Sequence, residues 1–198
     1  MESAERSRTS NDPREEAGLI AAAQRGDTGA FGMLVRIHQR TIYRLAYGLT
    51  RNASDADDLA QETFVRAFRA IGRFRVGEPM QPWLSRITVN LAFSMFRRRK
   101  RRPEVALEPL VEAGRQFAGG GEDPADVTAR REKHRMVTAA FEELSNEHRV
   151  VLALRVVQDM SYDDIARTLR VPVGTVMSRL SRARAELRAR LDARIGKS

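Results

Sequence analysis

Apolar residues along the chain recur mostly three or four positions apart, which is the spacing of an amphipathic helix. From Leu19 this spacing predicts a first helix that stops near Gly26, because glycine suits a helix C-cap, while Asp27 suits the N-cap of the next helix. We expect that second helix to run from about Thr28 to Thr50. The sequence has no convincing period-two alternation, the signature of a half-buried strand. The pattern therefore predicts an all-α protein.

Two more helices are predicted before the middle of the chain. Residues 55–74 place their apolar side chains on one side of a helical wheel, and Ser54 with Asp57 resembles a capping box. A loop containing glycine and proline follows, and Pro82 suits the first position of a helix that reaches about Arg97. The apolar side of the first of these helices is formed by Leu59, Ala60, Phe64, Phe68, Ile71 and Phe74.

The C-terminal half continues with helical patterns at about 126–144 and 146–157. A short helix, a tight turn and a longer helix are then predicted within residues 161–187, and Ser161 with Asp164 again matches a capping box. Two helices of these lengths joined by such a turn are typical of a helix-turn-helix.

Composition divides the chain of 198 residues into two small helical domains. Residues 1–16 are polar and lack an apolar period, which indicates a disordered tail. Residues 104–125 contain three consecutive glycines and two separate prolines, so we interpret them as a flexible linker. The predicted domains are therefore 17–103 and 126–198.

Charge narrows the class of partner. The chain has 35 Lys and Arg against 26 Asp and Glu, a formal net charge of +9, which favours a polyanion without separating nucleic acid from a membrane surface. It has no cysteine, which excludes disulfides and thiolate metal sites. The sequence lacks a signal-peptide h-region and an apolar stretch of about 18 residues, so we expect a cytoplasmic protein.

The last predicted helix has an apolar stripe and a polar face. Arg179 and Arg184 flank the stripe, and a helix docked by its apolar side would offer arginine and serine to a major groove, where arginine binds guanine edges or phosphates. A solvated basic helix is the alternative, and the helix-turn-helix lengths favour DNA contact. The stripe is Val176, Leu180, Ala183, Leu187 and Leu191, and the opposite face holds Ser178, Ser181, Arg182 and Ala185.

The helix that begins near Pro82 has a mixed polar stripe. Trp83, Arg86, Asn90, Ser94 and Arg97 fall within a sector of roughly 60°. Single-stranded nucleic acid is commonly held by such a mixture, with bases stacked on aromatic rings and cations along the backbone. A core tryptophan beside a hydrated face explains the same spacing equally well. The following run "RRRKRR" favours a phosphate-contacting patch over a merely soluble helix end.

Asp58, Gln61 and Glu62 form an acidic, polar patch on an otherwise basic chain. Carboxylates do not favour DNA binding, so this patch is suited to a basic protein partner, although pairing of Glu62 with Arg66 within the helix explains it comparably well. Enzyme chemistry is poorly supported, because the three histidines lack ligand spacing and no glycine-rich phosphate loop follows a strand.

Three segments together resemble the bacterial extracytoplasmic-function sigma factors, a group of RNA polymerase sigma factors. They are "DADDLAQETFVRAFRAIGRF" (55–74), "QPWLSRITVN" (81–90) and "SYDDIARTLRVPVGTVMSRLSRARAEL" (161–187), in this order and with a linker before the last. The resemblance covers roughly residues 17–103 and 126–191. It implies a promoter-melting domain and a helix-turn-helix domain in an alternative sigma factor that directs core RNA polymerase to specific promoters.

The resemblance also implies roles for individual residues. Core polymerase binding falls to Asp58, Gln61, Glu62 and Arg66. Capture of unpaired bases of the minus-ten element falls to Arg75, Trp83, Arg86, Asn90, Arg97 and Arg98. Contact with the minus-thirty-five element falls to Thr175, Ser178, Arg179, Ser181, Arg182 and Arg184. The implied partners are core RNA polymerase, promoter DNA and an anti-sigma factor, with no catalytic residue, metal or cofactor and no membrane insertion.

The chain departs from the family pattern at three positions. Many members of the family have a basic residue where this chain has Met177, and often an aromatic one where it has Ser181, which affects part of the upstream readout. Ser145 stands where they usually have proline.

Two other functions compete with that of a sigma factor. A stand-alone helix-turn-helix regulator would leave the Trp83 stripe and the acidic patch without a purpose. An RNA-binding or nucleolytic protein would use the arginine run, and metal-dependent cleavage would reveal it.

Overall fold

The computed structural model describes residues 13–101, 132 and 135–196. Within these residues the backbone forms helices and their connections without any strand, which confirms the predicted all-α class. The chain divides into two compact units. No helix among the described residues is long and apolar enough to cross a membrane. The predicted linker, 104–125, lies outside the described residues.

Four helices make up the N-terminal part of the chain. They are α1 (Pro13–Gln24), α2 (Thr28–Thr50), α3 (Ala53–Ala70), which continues into a 3-10 turn (Ile71–Arg73), and α4 (Met80–Arg101). The predicted bounds of α2 are confirmed. Asp27 caps it as expected, since its carboxylate accepts a hydrogen bond from the Ala30 N–H at 2.9 Å.

Three details of the N-terminal prediction are wrong. Residues 13–16, assigned to the tail, are the first turn of α1, while residues 1–12 lie outside the described range. The cap of α3 is Asn52, whose side chain accepts from the Asp55 N–H at 3.0 Å, so the predicted box of Ser54 and Asp57 does not start the helix. Pro82 is the third residue of α4 and not the first.

The N-terminal core lies where α2 packs against α1 and α3. Small side chains of α3 allow this approach, since Ala56 and Ala67 are completely buried. The Gln24 amide of α1 donates to the carbonyls of Ile71 at 2.9 Å and Phe74 at 2.6 Å, which fixes the chain after α3. The large, fully buried side chains here include Ile20, Leu34, Ile42, Leu45, Leu49 and Leu84.

The C-terminal helices follow after the undescribed segment. They are α5 (residues 135–142), α6 (Asn146–Leu152), which continues into a π-helical turn (Ala153–Val157), α7 (Tyr162–Leu169) and α8 (Val173–Ile195). Ser145 caps α6 by accepting from the His148 N–H at 3.2 Å. Ser161 accepts from the Asp164 N–H at 3.1 Å, which confirms the predicted cap of α7.

The core of the C-terminal helices is built from α6, α7 and α8. Val150, Leu154 and Ile165 are buried, as are Val176 and Leu180 of α8, and α6 packs against α8. Arg170 ends α7 in a left-handed conformation, with φ of 56°, and Pro172 is the N-cap of α8. The helix-turn-helix predicted from the sequence is therefore present, with α8 as its second helix.

Candidate functional site

The polar stripe of α4 is partly buried at its start and exposed further along. Trp83 packs on Phe74, with ring centroids 4.8 Å apart and the planes at 49°, yet its side chain remains half-buried and not enclosed. Further along the same stripe, Arg86 is half-buried and Asn90 is exposed. Trp83 thus contributes to packing and also presents part of its ring at the surface, so both interpretations of the sequence pattern apply to it.

Arginine side chains border the α4 stripe at both ends. Arg75 is exposed in the connection that precedes α4. Arg97 and Arg98 are exposed near its C-terminal end, and Arg97 donates to the Ser94 hydroxyl at 3.0 Å. The exposed arginines, Asn90 and the partly accessible Trp83 supply cations, an amide and an aromatic ring on one helix and its preceding loop.

The acidic patch lies on the exposed side of α3. Asp58 and Gln61 are exposed, and Glu62 accepts from the guanidinium of Arg66 at 2.7 Å. The intrahelical pair considered in the sequence is therefore formed. Its side chains are 45% and 56% exposed, and pairs at this exposure contribute little to stability. The pair leaves Asp58 and Gln61 available to a partner.

Two apolar residues on the same side of α3 were missed by the sequence analysis. Val65 is 42% exposed and Phe68 is 44% exposed, although the helical wheel placed Phe68 with the core. The ring of Phe68 meets that of Phe31 edge to face at 5.0 Å, so only part of it is packed. Exposed apolar groups among carboxylates are typical of a protein-binding surface, in which an apolar centre has a polar rim.

The polar face of α8 is exposed where the sequence places it. Ser181, Arg182 and Arg184 are exposed. Of the predicted stripe, Val176, Leu180 and Ala183 are buried, while Leu187 and Leu191 are half-buried. The remaining predicted reader side chains are more restricted. Thr175 and Ser178 are half-buried, and the Ser178 hydroxyl donates to the Thr175 carbonyl at 3.0 Å.

Arg179 forms an ion pair within the chain. Its guanidinium lies 3.0 Å from the carboxylate of Glu147 on α6, with 26% of the arginine side chain and 57% of the glutamate side chain exposed. An arginine in this arrangement must leave or share its carboxylate before it can bind a phosphate or a base edge. Arg182 and Arg184 are therefore better placed than Arg179 to meet DNA.

Further ion pairs anchor the C-terminal half of α8. Arg190 pairs with Glu143 at 2.6 Å and with Glu186 at 2.7 Å, Arg194 also pairs with Glu143, and His148 bonds Glu186 at 2.7 Å. The hydrogen bond from Arg190 is the main cause that lowers the pKa of both carboxylates. These contacts fix the direction of α8. Spacing within one helix does not reveal them, because most join residues far apart in sequence.

No group of three or more His, Asp or Glu side chains suited to a metal occurs among the residues that the structure describes. Cations and an aromatic ring suit nucleic acid, and the acidic side of α3 suits a basic protein.

Family models match both parts of the chain. Residues 34–102 match sigma-70 region 2, which includes most of α2 and all of α3 and α4. Residues 134–187 match sigma-70 region 4, which includes the helix-turn-helix.

The sequence of this chain matches that of several curated proteins over most of their length. The chain is 36% identical to the RNA polymerase sigma-H factor of Pseudomonas aeruginosa, over 86% of this chain and 90% of that protein. It is 39% identical to the extracytoplasmic-function sigma factor SigM of Mycobacterium tuberculosis, over 88% and 83%. It is 36% identical to SigE of Mycolicibacterium smegmatis, over 90% and 68%.

Two solved structures have a similar fold. CnrH in complex with the cytosolic domain of CnrY is 30% identical, with a TM-score of 0.66 over 90% of this chain and 98% of that one. The sigma factor RpoE of Bartonella quintana, in complex with the anti-sigma factor NepR, is 25% identical, with a TM-score of 0.63 over 82% and 96%. Together with the helix-turn-helix and the helices before it, these relationships establish that the chain belongs to the extracytoplasmic-function sigma factors and acts as an alternative sigma factor in transcription initiation.

Proposed function

We propose that the three exposed surfaces divide the work of a sigma factor: α3 binds core RNA polymerase, α4 captures the melted minus-ten element, and α8 contacts the minus-thirty-five duplex. The units of this division are an N-terminal domain that begins with α1 at Pro13 and ends near residue 103, and a second domain at 126–198, joined to it by the linker at 104–125. The observation that carries the proposal is the separation of charge, with an acidic, partly apolar face on α3 and basic faces on α4 and α8.

The α3 face suits a basic surface of the polymerase. Asp58 and Gln61 are exposed, and Glu62 keeps 45% of its side chain exposed despite its pair with Arg66. Complementary charge speeds association and rejects wrong partners, while an apolar centre supplies affinity. Phe68 extends the proposed polymerase surface beyond the residues that the sequence motif suggests.

The α4 surface suits bases that have left the duplex. An unstacked base offers a ring face and a free pairing edge. The partly accessible ring of Trp83 and the exposed amide of Asn90 match these two features, and Arg75, Arg97 and Arg98 supply cations for phosphates. Arg86 lies on the same stripe and is half-buried, so we assign it a supporting position in this site.

The α8 surface suits a major groove. Ser181, Arg182 and Arg184 are its exposed readers, and Thr175 and Ser178 in the first turns supply hydroxyl groups near the helix start. Serine at 181 and methionine at 177 give this face less aromatic and cationic character than many relatives have.

An anti-sigma factor is the proposed regulator. The solved structure of RpoE from Bartonella quintana contains the anti-sigma factor NepR, and 25% identity links that RpoE to this chain. We place the action in the cytoplasm, with RNA polymerase, and assign the chain no catalytic chemistry of its own. Its work consists of binding and of stabilising separated strands.

In vitro transcription tests the function directly. Purified protein and sigma-free core polymerase are incubated with fragmented genomic DNA, and the 5′ ends of the transcripts are sequenced. We expect discrete starts that share two short upstream elements. Specific duplex binding by the protein alone, without any new start, would support a stand-alone regulator instead, and metal-dependent cleavage of RNA would support a nuclease.

A further inference from the structure

Gln24, the last residue of α1, reaches the connection that leads into α4. Its half-buried side-chain amide donates two hydrogen bonds, to the carbonyl of Ile71 at 2.9 Å and to that of Phe74 at 2.6 Å. These carbonyls lie at either end of the 3-10 turn that follows α3. One amide therefore holds both the end of α3 and the residue from which the connection starts.

The bond to Phe74 is not needed to end α3. Carbonyls at a helix end can be satisfied by water or by the next turn, and the Ile71 carbonyl already accepts from the Phe74 N–H at 2.9 Å. Phe74 has extended backbone angles, φ of −76° and ψ of 135°, so its carbonyl lies beyond the turn. The hydrogen bond from Gln24 to that carbonyl fixes the direction in which the chain leaves α3.

The connection between Phe74 and α4 is anchored at its ends and exposed between them. Phe74 and Met80 are buried, whereas residues 75–79 are all exposed and include Arg75 of the proposed minus-ten surface. Within this stretch the Glu78 N–H donates to the Arg75 carbonyl at 3.2 Å. The position of Arg75 therefore depends on the anchored residue immediately before it.

Phe74 also links the connection to the aromatic part of the minus-ten surface. Its ring packs on that of Trp83, with centroids 4.8 Å apart and planes at 49°. A shift of the backbone at Phe74 would move the ring against which Trp83 rests. Through Phe74, the hydrogen bond from Gln24 thus reaches both Arg75, which follows in the chain, and Trp83, which packs on the ring.

The end of α1 that carries Gln24 is itself held in place. The Gly26 N–H donates to the Ala23 carbonyl at 3.0 Å, and the Asp27 N–H donates to the Ala22 carbonyl at 3.2 Å. Asp27 in turn caps α2. A binding group is positioned precisely only when the residues that support it are also fixed. The end of α1 meets that condition for the connection.

We propose that Gln24 is a positioning residue of the minus-ten surface, which holds Arg75 and Trp83 in the arrangement that captures an unpaired base. This inference rests on the proposed function, which assigns those two side chains to DNA. Gln24 acts through Phe74 and not by touching the strand. Its loss should weaken capture of the separated strand and leave attachment to core polymerase, which belongs to the α3 surface, unchanged.

Gln24→Glu removes the two donors with little change in shape. A carboxylate has no N–H to donate and repels the two carbonyls, so the start of the connection is released. Gln24→Asn keeps the amide on a shorter side chain, and its behaviour should lie between those of Gln24→Glu and the wild type. Gln39→Glu makes the same chemical change at an exposed position of α2 and is the matched control.

Fluorescence reports on this site directly, because Trp83 is the only tryptophan of the chain. In the free protein we expect acrylamide to quench Trp83 more strongly in Gln24→Glu than in Gln39→Glu. Circular dichroism of the same samples separates release of the connection from a general loss of helix. A change in Trp83 quenching with native circular dichroism is the signature of a positioning role.

Holoenzyme on a promoter found by the transcription experiment gives the functional measurement. Gln24→Glu should reduce open-complex formation, followed by permanganate reactivity, by about tenfold, while its affinity for core polymerase stays within about twofold of that of Gln39→Glu. If Gln24→Glu lacks native circular dichroism, the same comparisons with Gln24→Asn decide. Quenching and melting like those of Gln39→Glu, or an equal loss of polymerase binding, overturn the proposal.

The two proposals fail in distinguishable ways. If the wild-type protein starts no transcription with core polymerase, or if Asn90→Ala melts promoters normally, the proposed function of α4 fails. If Asn90→Ala is defective and Gln24→Glu melts promoters as well as Gln39→Glu does, only the inference about Gln24 fails.

Discussion

Glu147 on α6 and Arg179 on α8 form an ion pair of 3.0 Å beside the proposed DNA-binding face. The pair holds Arg179, one of the six residues predicted to contact the minus-thirty-five element, against a carboxylate of the same chain. It also places a negative charge near a surface that must approach phosphates. Glu147 therefore opposes DNA binding in two ways, by holding Arg179 and by repelling the DNA backbone.

We expect Glu147→Gln to strengthen binding of the holoenzyme to duplex promoter DNA by up to about tenfold. The free energy of unfolding should change by less than about 1 kcal/mol, since the glutamate is 57% exposed and exposed pairs contribute little. Fluorescence anisotropy measures the first quantity and urea unfolding the second. Glu142→Gln, at an exposed position of α5, is the control for net charge. Unchanged or weaker DNA binding would contradict the assigned role of Glu147.

The acidic face of α3 gives a second prediction. Asp58→Lys combined with Glu62→Lys should weaken binding to core polymerase by more than about a hundredfold, because like charges placed together cost several kcal/mol. Affinity is measured by titrating labelled protein with core polymerase. Glu142→Lys changes an exposed carboxylate elsewhere in the same way and should bind normally. Wild-type affinity of the double variant, with native circular dichroism, would exclude this face as the polymerase surface.

Local signals in the sequence were sufficient for much of the fold. Asp27 caps α2, and the apolar stripe of α8 packs inward at Val176, Leu180 and Ala183. These features depend on residues within one or two turns, which spacing reveals directly. The N-cap of α3 was missed because Asn52 and Ser54 are both residues that cap helices. Only the backbone conformation shows which of them is the cap. Asn52 has extended angles, φ of −130° and ψ of 131°, and is therefore the residue at which the helix starts.

The proposed binding surfaces were harder to predict, because they depend on packing between distant segments. Phe68 is on the apolar side of the wheel, yet it is 44% exposed, whereas the small residues Ala56 and Ala67 of the same helix are completely buried. Hydrophobicity alone does not rank alanine above phenylalanine for burial. The restraint on Arg179 comes from Glu147, 32 residues earlier, and no helical period connects them.

His38 gives a prediction about pH. It is buried on α2 with Nε2 3.1 Å from the Glu16 carboxylate of α1, and burial lowers its pKa below the ordinary 6.5 even though Glu16 acts in the opposite direction. The folded state thus favours neutral His38, and below pH 6.5 the unfolded state binds the extra proton. The contribution of neutral His38 to the free energy of unfolding should be fully present above pH 6.5, and it should fall as the pH drops toward the lowered pKa.

Urea unfolding between about pH 5 and pH 8 tests this prediction. His38→Gln should reduce the loss of stability across the acidic part of that range, because the proton-binding group is removed. Glu16→Gln should enlarge the loss, since it removes the carboxylate that favours protonated His38 in the folded state. The same pH dependence in all three proteins would show that His38 is not the titrating group.

Asn90 gives the sharpest test of the α4 surface, because its exposed amide can bond the edge of a base only after that base has left the duplex. Asn90→Ala should therefore reduce open-complex formation by about tenfold or more, while initial binding to closed duplex changes by less than about twofold. Permanganate reactivity of unpaired thymines measures melting, and a mobility shift at low temperature measures the closed complex. Asn90→Gln keeps the amide and should recover part of the melting. Equal losses in both measurements would place Asn90 on the duplex and exclude it from capture of the separated strand.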